Sequence, residues 1–143
     1  MTAAWRSLLA IGLITRQPAS TAMAQSAAGK VPGPTALQRG EQIYTRCAAC
    51  HAIESNRTGP QHCGLFGRRA GTAPGFDTYS KAMRDSKIVW NERSLDVFLQ
   101  APTLAVPGTA MGYAGVKDAQ ERADLIAWLR QAAMPGKGCT LSY

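Results

Sequence analysis

The sequence predicts a small all-helical domain. In several stretches apolar residues recur at intervals of three and four, which is the spacing of one face of an α-helix. No stretch shows the strict alternation of polar and apolar residues typical of several strands in succession, and the chain has no internal repeat. Capping residues and prolines delimit about four to five helices.

The first residues have the pattern of a secretory signal peptide. Arg6 supplies a positive charge, an apolar run extends from Leu8 to Ile14, and the tripeptide ending at Ala24 is an A-x-A cleavage site. An anchor helix is the weaker alternative, because the run is far shorter than the roughly 20 residues that cross a bilayer. We therefore expect residues 1–24 to be cleaved during export to a bacterial periplasm, with no stable membrane insertion.

The length and composition of the chain after the signal peptide are those of a single exported domain. Without residues 1–24, 119 residues remain, with 14 basic and 9 acidic side chains. This charge is modest, and we expect no nucleic-acid partner. Residues 25–34 are small, polar and rich in glycine and proline, which predicts a flexible arm. The folded domain is predicted to span 35–134, followed by a tail at 135–143.

The first predicted helix begins near Ala36, where Thr35 offers a capping hydroxyl. Leu37, Gly40 and Tyr44 share one face of that helix. A glycine on this face indicates that another backbone passes close to it.

A long ordered loop is predicted between residues 56 and 76. This segment is rich in glycine and holds two prolines, which disfavours a helix or a central strand. Long loops inside compact domains usually have a function. We expect this one to wrap a large apolar cofactor.

Three further helices are predicted. A short one covers about residues 80–85, and the next begins at the capping residue Asn91 and is stopped by Pro102. Asp118, followed three residues later by a glutamate, resembles a capping box and starts a helix that reaches about Ala133. Apolar side chains at helical spacing form the inner faces of the longer two: Leu95, Phe98, Leu99, Leu125, Trp128, Leu129 and Ala132.

Residues 47–51 form the motif C-x-x-C-H, at which haem is attached covalently to a polypeptide. Thioredoxin-type redox pairs and zinc sites also contain C-x-x-C. A redox pair would sit near a strand-helix-strand pattern, and zinc would need a second close ligand pair, which the His-Cys dipeptide at 62–63 supplies poorly. We therefore predict one haem c per chain, bound through Cys47 and Cys50, with His51 as an axial iron ligand.

Two cysteines are left over by the haem motif. In an oxidising compartment Cys63 and Cys139 are expected to pair, tying the C-terminal tail to the loop after the motif. The alternative is two unrelated free thiols. Intact mass before and after reduction distinguishes the two.

A second iron ligand is indicated at Met111. It lies about 60 residues after the haem motif, in a loop stiffened by Pro107 and surrounded by small residues. A thioether is a soft, neutral ligand for ferrous iron, and a His/Met pair raises the reduction potential. Met83 and Met134 are interpreted as ordinary apolar side chains.

These motifs together resemble the class I cytochromes c, in the branch shared by mitochondrial cytochrome c and bacterial cytochrome c2 or c-550. The match runs from about Ala36 to Ala133. It includes the segments 47–51, 58–60, 64–76, Trp90, 107–111 and 125–129. The resemblance implies an all-α class I cytochrome c fold, wrapped around one covalently bound haem.

The resemblance also implies a set of cofactor-binding residues, namely Cys47, Cys50, His51, Pro60, Arg68, Tyr79, Trp90, Thr109 and Met111, with His51 and Met111 on the iron. The Pro60 carbonyl is expected to accept a hydrogen bond from His51 Nδ1. Arg68, Tyr79 and Trp90 are expected to surround the buried haem propionates with donors or positive charge.

Three residues near the expected cofactor depart from the family pattern. His62 stands where the family has a leucine against the haem, Phe98 where it has a tyrosine near the ligand sulfur, and Met83 where mitochondrial members have an asparagine. The polar network around Met111 should therefore be thinner than in the family. His62 is expected to be a packed or surface side chain and not a competing ligand.

The resemblance implies a soluble, monomeric electron carrier that is not an enzyme. Its partners would be redox proteins: a membrane cytochrome complex or dehydrogenase cytochrome as donor, and a terminal oxidase or photosynthetic reaction centre as acceptor. Thr103, Leu104 and Ala110 stand where mitochondrial members carry lysines, so the docking face should be weakly charged. The alternatives are a haem enzyme or gas sensor with Met111 off the iron and, more remotely, a thiol oxidoreductase.

Overall fold

The computed structural model describes residues 33–136 and 139. This part of the chain contains five helices: α1 (Ala36–Tyr44), α2 (Lys81–Asp85), α3 (Glu92–Gln100), α4 (Pro102–Ala105) and α5 (Ala119–Ala132). It holds no extended strand, only an isolated antiparallel bridge between Arg69 and Val89. The all-helical prediction is confirmed. The expected signal peptide, and most of the expected arm and tail, lie outside the described residues.

Two helices begin in reciprocal capping boxes. In α1 the Thr35 hydroxyl accepts from the backbone N–H of Gln38, whose side chain accepts in return from the backbone N–H of Thr35. Asn91 and Ser94 form the same arrangement at the start of α3. Each box satisfies two backbone donors that a helix start leaves without partners. The caps predicted at Thr35 and Asn91 are therefore present.

The ends of α3 and the start of α5 lie where the sequence predicts them, but each region shows one unpredicted feature. The helix α3 ends at Gln100, and Pro102 then begins the unpredicted short helix α4, because proline's fixed φ and missing N–H suit the first helical position. Asp118 caps α5 by accepting from the backbone N–H of Glu121. The reciprocal half of that box is absent, since the Glu121 carboxylate binds the Arg46 guanidinium at 2.7 and 2.9 Å.

The first and last helices cross in close contact. A Cβ atom on Gly40 would lie 2.1 Å from the Asp124 carbonyl oxygen and 2.6 Å from the Trp128 Cβ, so only glycine fits there. The predicted close approach of a second backbone is thus confirmed. Beside the crossing, Arg39 donates to the buried Asp124 carboxylate at 2.6 and 3.1 Å, which links α1 to α5.

A buried arginine links α5 to α3, and the sequence analysis did not identify it. Arg122 is 6% exposed, and its Nε donates to the Asp96 carboxylate at 2.7 Å. Its Nη1 donates to the Val116 and Lys117 carbonyls at 3.0 and 2.9 Å. Burial of a guanidinium is tolerated because these partners satisfy it.

The apolar core surrounds a cavity. Its buried members come from α1, α2, α3, α5 and the segments between them: Ile43, Tyr44, Leu65, Ala70, Met83, Trp90, Leu95, Phe98, Leu99, Val106, Val116, Leu125, Ile126, Leu129 and Ala133. More than half of them also line the cavity described below. Among the helices described, none is long and apolar enough to cross a bilayer.

Candidate cofactor site

One cavity of about 470 Å³ gathers the predicted cofactor-binding residues. Its lining includes all nine of them: Cys47, Cys50, His51, Pro60, Arg68, Tyr79, Trp90, Thr109 and Met111. These residues come from the turn after α1, from the long loop, from the segments before α2 and before α3, and from the loop after α4. The fold thus converts scattered sequence positions into one site.

The two motif cysteines are held in a turn that continues α1. The Cys47 N–H donates to the Tyr44 carbonyl at 2.8 Å, and the His51 N–H donates to the Cys47 carbonyl at 2.9 Å. Cys47 and Cys50 are the free cysteines of the described chain. Burial raises the pKa of Cys47 to about 11, although the charge of Arg46 opposes the shift. A protonated thiol at neutral pH is unlike the reactive thiolate of a thioredoxin-type pair.

The other two cysteines are joined by a disulfide. Cys63 and Cys139 have their Cα atoms 5.3 Å apart and are 0% and 2% exposed. The pairing expected from the sequence is therefore present. Within residues 33–136 and 139, no group of three or more His, Cys, Asp and Glu side chains is placed to hold a metal ion.

The His51 ring is held by a hydrogen bond at one nitrogen, and its other nitrogen is unused. Its Nδ1–H donates to the Pro60 carbonyl at 2.8 Å, so its Nε2 carries the lone pair. A Cβ atom on Gly59 would lie 2.4 Å from the ring, so glycine is required for the ring to lie here. Burial lowers the pKa of His51, and the hydrogen bond to Pro60 opposes this shift. A neutral imidazole with a free Nε2 is the form that binds iron.

The loop that carries Met111 is anchored at both ends. Before it, the Thr109 N–H donates to the Val106 carbonyl at 3.0 Å, and the Thr109 hydroxyl accepts from the Met111 N–H at 3.3 Å. After it, the Val116 N–H donates to the Leu99 carbonyl at 2.8 Å. These bonds limit the conformations available to Met111, which contributes to the cavity wall.

Arg68 carries an unpaired donor beside the cavity. Its guanidinium donates to the Cys63 and Gln61 carbonyls at 2.6 and 2.8 Å, while its Nε is buried without a partner. The Trp90 N–H donates to the Arg68 carbonyl at 2.9 Å, which ties the long loop to the segment before α3. Burial lowers the pKa of Arg68 and raises that of Tyr79. A buried donor without a partner is costly unless a ligand satisfies it, and a carboxylate would do so.

These residues fit a covalently attached haem. Two thiols are available for thioethers, an imidazole and a thioether are available for iron, and an unpaired guanidinium donor is available for a propionate. The wall between them is largely apolar, as a porphyrin requires.

Comparison with known proteins decides the family, because the Cytochrome c family model matches residues 37–133. The chain belongs to the cytochrome c family. Cytochrome c of Chlamydomonas reinhardtii is 48% identical over 100 residues, covering 67% of this chain and 88% of that protein. Cytochrome c2 of Blastochloris viridis is 44% identical over 95 residues, covering 64% of this chain and 74% of that protein.

A solved structure agrees with this assignment. Cytochrome cH from Methylobacterium extorquens superimposes with a TM-score of 0.63 at 36% identity, covering 65% of this chain and 95% of that chain. The class I cytochrome c fold is thus confirmed. As a member of the cytochrome c family, the protein carries haem c attached through cysteines and is an electron-transfer protein, not an enzyme.

The structure also gives His62 a defined place. Its ring stacks on His51 with centroids 4.5 Å apart and an angle of 20° between the planes, and its Nδ1 lies 3.2 Å from the Tyr44 hydroxyl. Burial lowers the pKa of His62 to about 3, and the charges of His51 and Arg68 add to the shift. His62 is therefore a packed neutral side chain. Its departure from the family leucine was the one sequence signal that pointed to it.

Proposed function

We propose that the protein is a periplasmic electron carrier whose haem iron is held between His51 and Met111. The observation that carries this proposal is that both side chains line the cavity that also contains the two free thiols. His51 follows directly after Cys50, and Met111 comes from a separate, anchored loop, so the two ligands approach from different parts of the fold.

The arrangement supports electron transfer with little rearrangement. Bound haem supplies the ferric/ferrous couple. The Pro60 carbonyl orients His51 and makes its Nε2 more electron-rich. The hydrogen bonds before and after Met111 restrain the loop that carries its thioether, and with His51 and Met111 both bound to iron no position would be left for a substrate. Apolar residues around the cavity would disfavour the extra positive charge of the oxidised haem, and together with a thioether ligand this would favour a positive potential.

The periplasmic location rests on two features. The signal-peptide pattern in residues 1–24 indicates export. The buried disulfide is of a kind that forms and persists in oxidising compartments and is rare in the cytosol. Fractionation of the native cells, with the mature N-terminus determined by mass spectrometry, tests the location. A protein found in the cytosol with residues 1–24 retained would contradict it.

The proposed partners are redox proteins that dock beside the cavity, on the surface formed by α4 and the loop that carries Met111. A membrane cytochrome complex or dehydrogenase cytochrome would donate, and a terminal oxidase or reaction centre would accept. Leu104 is 80% exposed in α4, Thr103 and Ala110 are also exposed, and Ala110 lines the cavity. This rim carries no charge at these three positions, so it offers apolar contact in place of strong electrostatic steering.

The deciding experiment is far-red absorption spectroscopy of the purified ferric holoprotein. Methionine ligation predicts a charge-transfer band from sulfur to ferric iron, and Met111→Ala should abolish it. Met134→Ala is the matched control, because Met134 is 50% exposed and does not line the cavity. A wild-type protein that lacks the band and binds carbon monoxide readily when reduced would instead be a haem enzyme or gas sensor.

A further inference from the structure

The proximal imidazole has a second ring lying against it. His62 stacks on His51 at 4.5 Å between centroids and 20° between planes. The hydrogen bond from His51 Nδ1 to the Pro60 carbonyl holds one atom of the ring. By itself it does not set the angle of the ring plane about the axis of that hydrogen bond. A flat neighbour restricts that rotation, because tilting the His51 ring would bring its edge into the His62 face.

His62 is itself held in place. Its Nδ1 shares a hydrogen bond of 3.2 Å with the Tyr44 hydroxyl, and the two rings meet edge to face at 5.7 Å. Tyr44 is 8% exposed and packs at 4.5 Å on Trp128 of α5. The contacts therefore run without a break from α5 through Tyr44 and His62 to His51.

The backbone reinforces this placement. The His62 N–H donates to the Ala52 carbonyl at 3.0 Å, and the Cys63 N–H donates to the Ile53 carbonyl at 2.7 Å. These bonds pair the segment after His51 with the segment that carries His62. The disulfide at Cys63, the residue next to His62, ties that segment to Cys139. These bonds keep the two backbone segments together, and the stacking with the Tyr44 contact then holds the two rings face to face.

We propose that His62 is a positioning residue for His51, which sets the rotational orientation of the iron-bound imidazole by stacking, with Tyr44 as its support. The inference rests on the proposed ligation by His51. A leucine, which the resemblance places at this position, fills volume but offers no flat face parallel to the imidazole. Histidine at position 62 therefore sets the orientation of the His51 ring plane, which a leucine there would not do, in addition to filling space.

Electron paramagnetic resonance of the frozen ferric holoprotein tests the proposal, because its g values depend on the orientation of the axial ligand plane. His62→Leu should shift and broaden the g values, whereas His62→Phe, which keeps a flat ring, should stay close to wild type. Tyr44→Phe removes only one hydroxyl and keeps the ring. It should shift the g values in the same direction as His62→Leu, by less.

The outcomes separate the alternatives. If His62→Leu and Tyr44→Phe lower the free energy of unfolding but leave the g values unchanged, His62 is a structural residue only and the proposal is overturned. Equal shifts of the g values in His62→Leu and His62→Phe would overturn the stacking mechanism, because they would show that the polar ring nitrogens of His62 matter and its flat ring does not. If His62→Leu does not fold, the Tyr44→Phe variant decides: shifted g values support the proposal, and unchanged g values overturn it. Absence of the far-red sulfur band in the wild-type protein would refute the proposed function separately.

Discussion

Breaking the disulfide between Cys63 and Cys139 should destabilise the protein substantially. The bond joins residues 76 positions apart, and it therefore closes most of the folded domain into one loop. By the chain-entropy relation, a crosslink that closes a loop of this size lowers the entropy of the denatured chain by about 15 cal/mol/K. Removing the crosslink should therefore lower the free energy of unfolding by about 4.5 kcal/mol at 25 °C. That is a large share of the roughly 5–15 kcal/mol by which most domains are stable.

The assay is guanidinium unfolding of the holoprotein, followed by the absorbance of the haem. The double variant Cys63→Ala/Cys139→Ala should unfold at a lower denaturant concentration. Its m-value should rise, because the denatured chain is less compact without the crosslink. Each single variant breaks the same bond, so each should lose nearly as much as the double variant and the two losses should not add.

Two results would refute the reasoning. An unfolding free energy equal to that of the wild type in the double variant would show that the loop closure contributes nothing. An intact mass of the wild-type protein that does not increase by two hydrogens on reduction would show two free thiols, as the alternative interpretation of the sequence holds.

Three further predictions concern the helix crossing and the docking face. Gly40→Ala should cost about 3 kcal/mol of unfolding free energy, since its Cβ would lie 2.1 Å from the Asp124 carbonyl oxygen, whereas Gly33→Ala, with nothing within 4 Å, should be nearly neutral. The Arg39 guanidinium holds the pKa of Asp124 below its usual 3.8, so the ion pair stabilises the fold above that pH and its contribution is lost as pH falls through the lower native value. Asp124→Asn should therefore flatten the acid limb of stability against pH in urea titrations, and identical acid limbs would contradict the ion-pair argument. The rate of electron transfer to a redox partner should change by less than about threefold between about 10 and 200 mM salt, and a steep fall would rule out the weakly charged docking face.

Sequence patterns predicted those elements whose signals are local. The helix starts at Thr35 and Asn91 were predictable because capping depends on residues within three positions of each other. The short helix α4 was missed because Pro102 both terminates one helix and suits the first position of another. The incomplete capping box at Asp118 has a non-local cause, since the Glu121 carboxylate is taken by Arg46, 75 residues away.

The site was predictable to the extent that its residues carry distinctive chemistry. A C-x-x-C-H motif and a methionine in a proline-stiffened loop can be recognised without knowing where they lie in space. The stacking of His62 on His51 could not be found in this way, because it depends on how the long loop folds back. The buried Arg122 is another such case: its partner Asp96 is 26 positions away, on a different helix.

The crossing of α1 and α5 has a consequence for biogenesis. The helix that leads into the thiol pair has nine residues, and an isolated helix shorter than about 12 residues is marginal in water. Its packing surface, around Asp124 and Trp128, is made last as the chain is synthesised. We therefore expect the segment holding Cys47 and Cys50 to stay pliable until α5 packs on α1, so that both sulfurs are accessible for haem attachment before the domain closes over them.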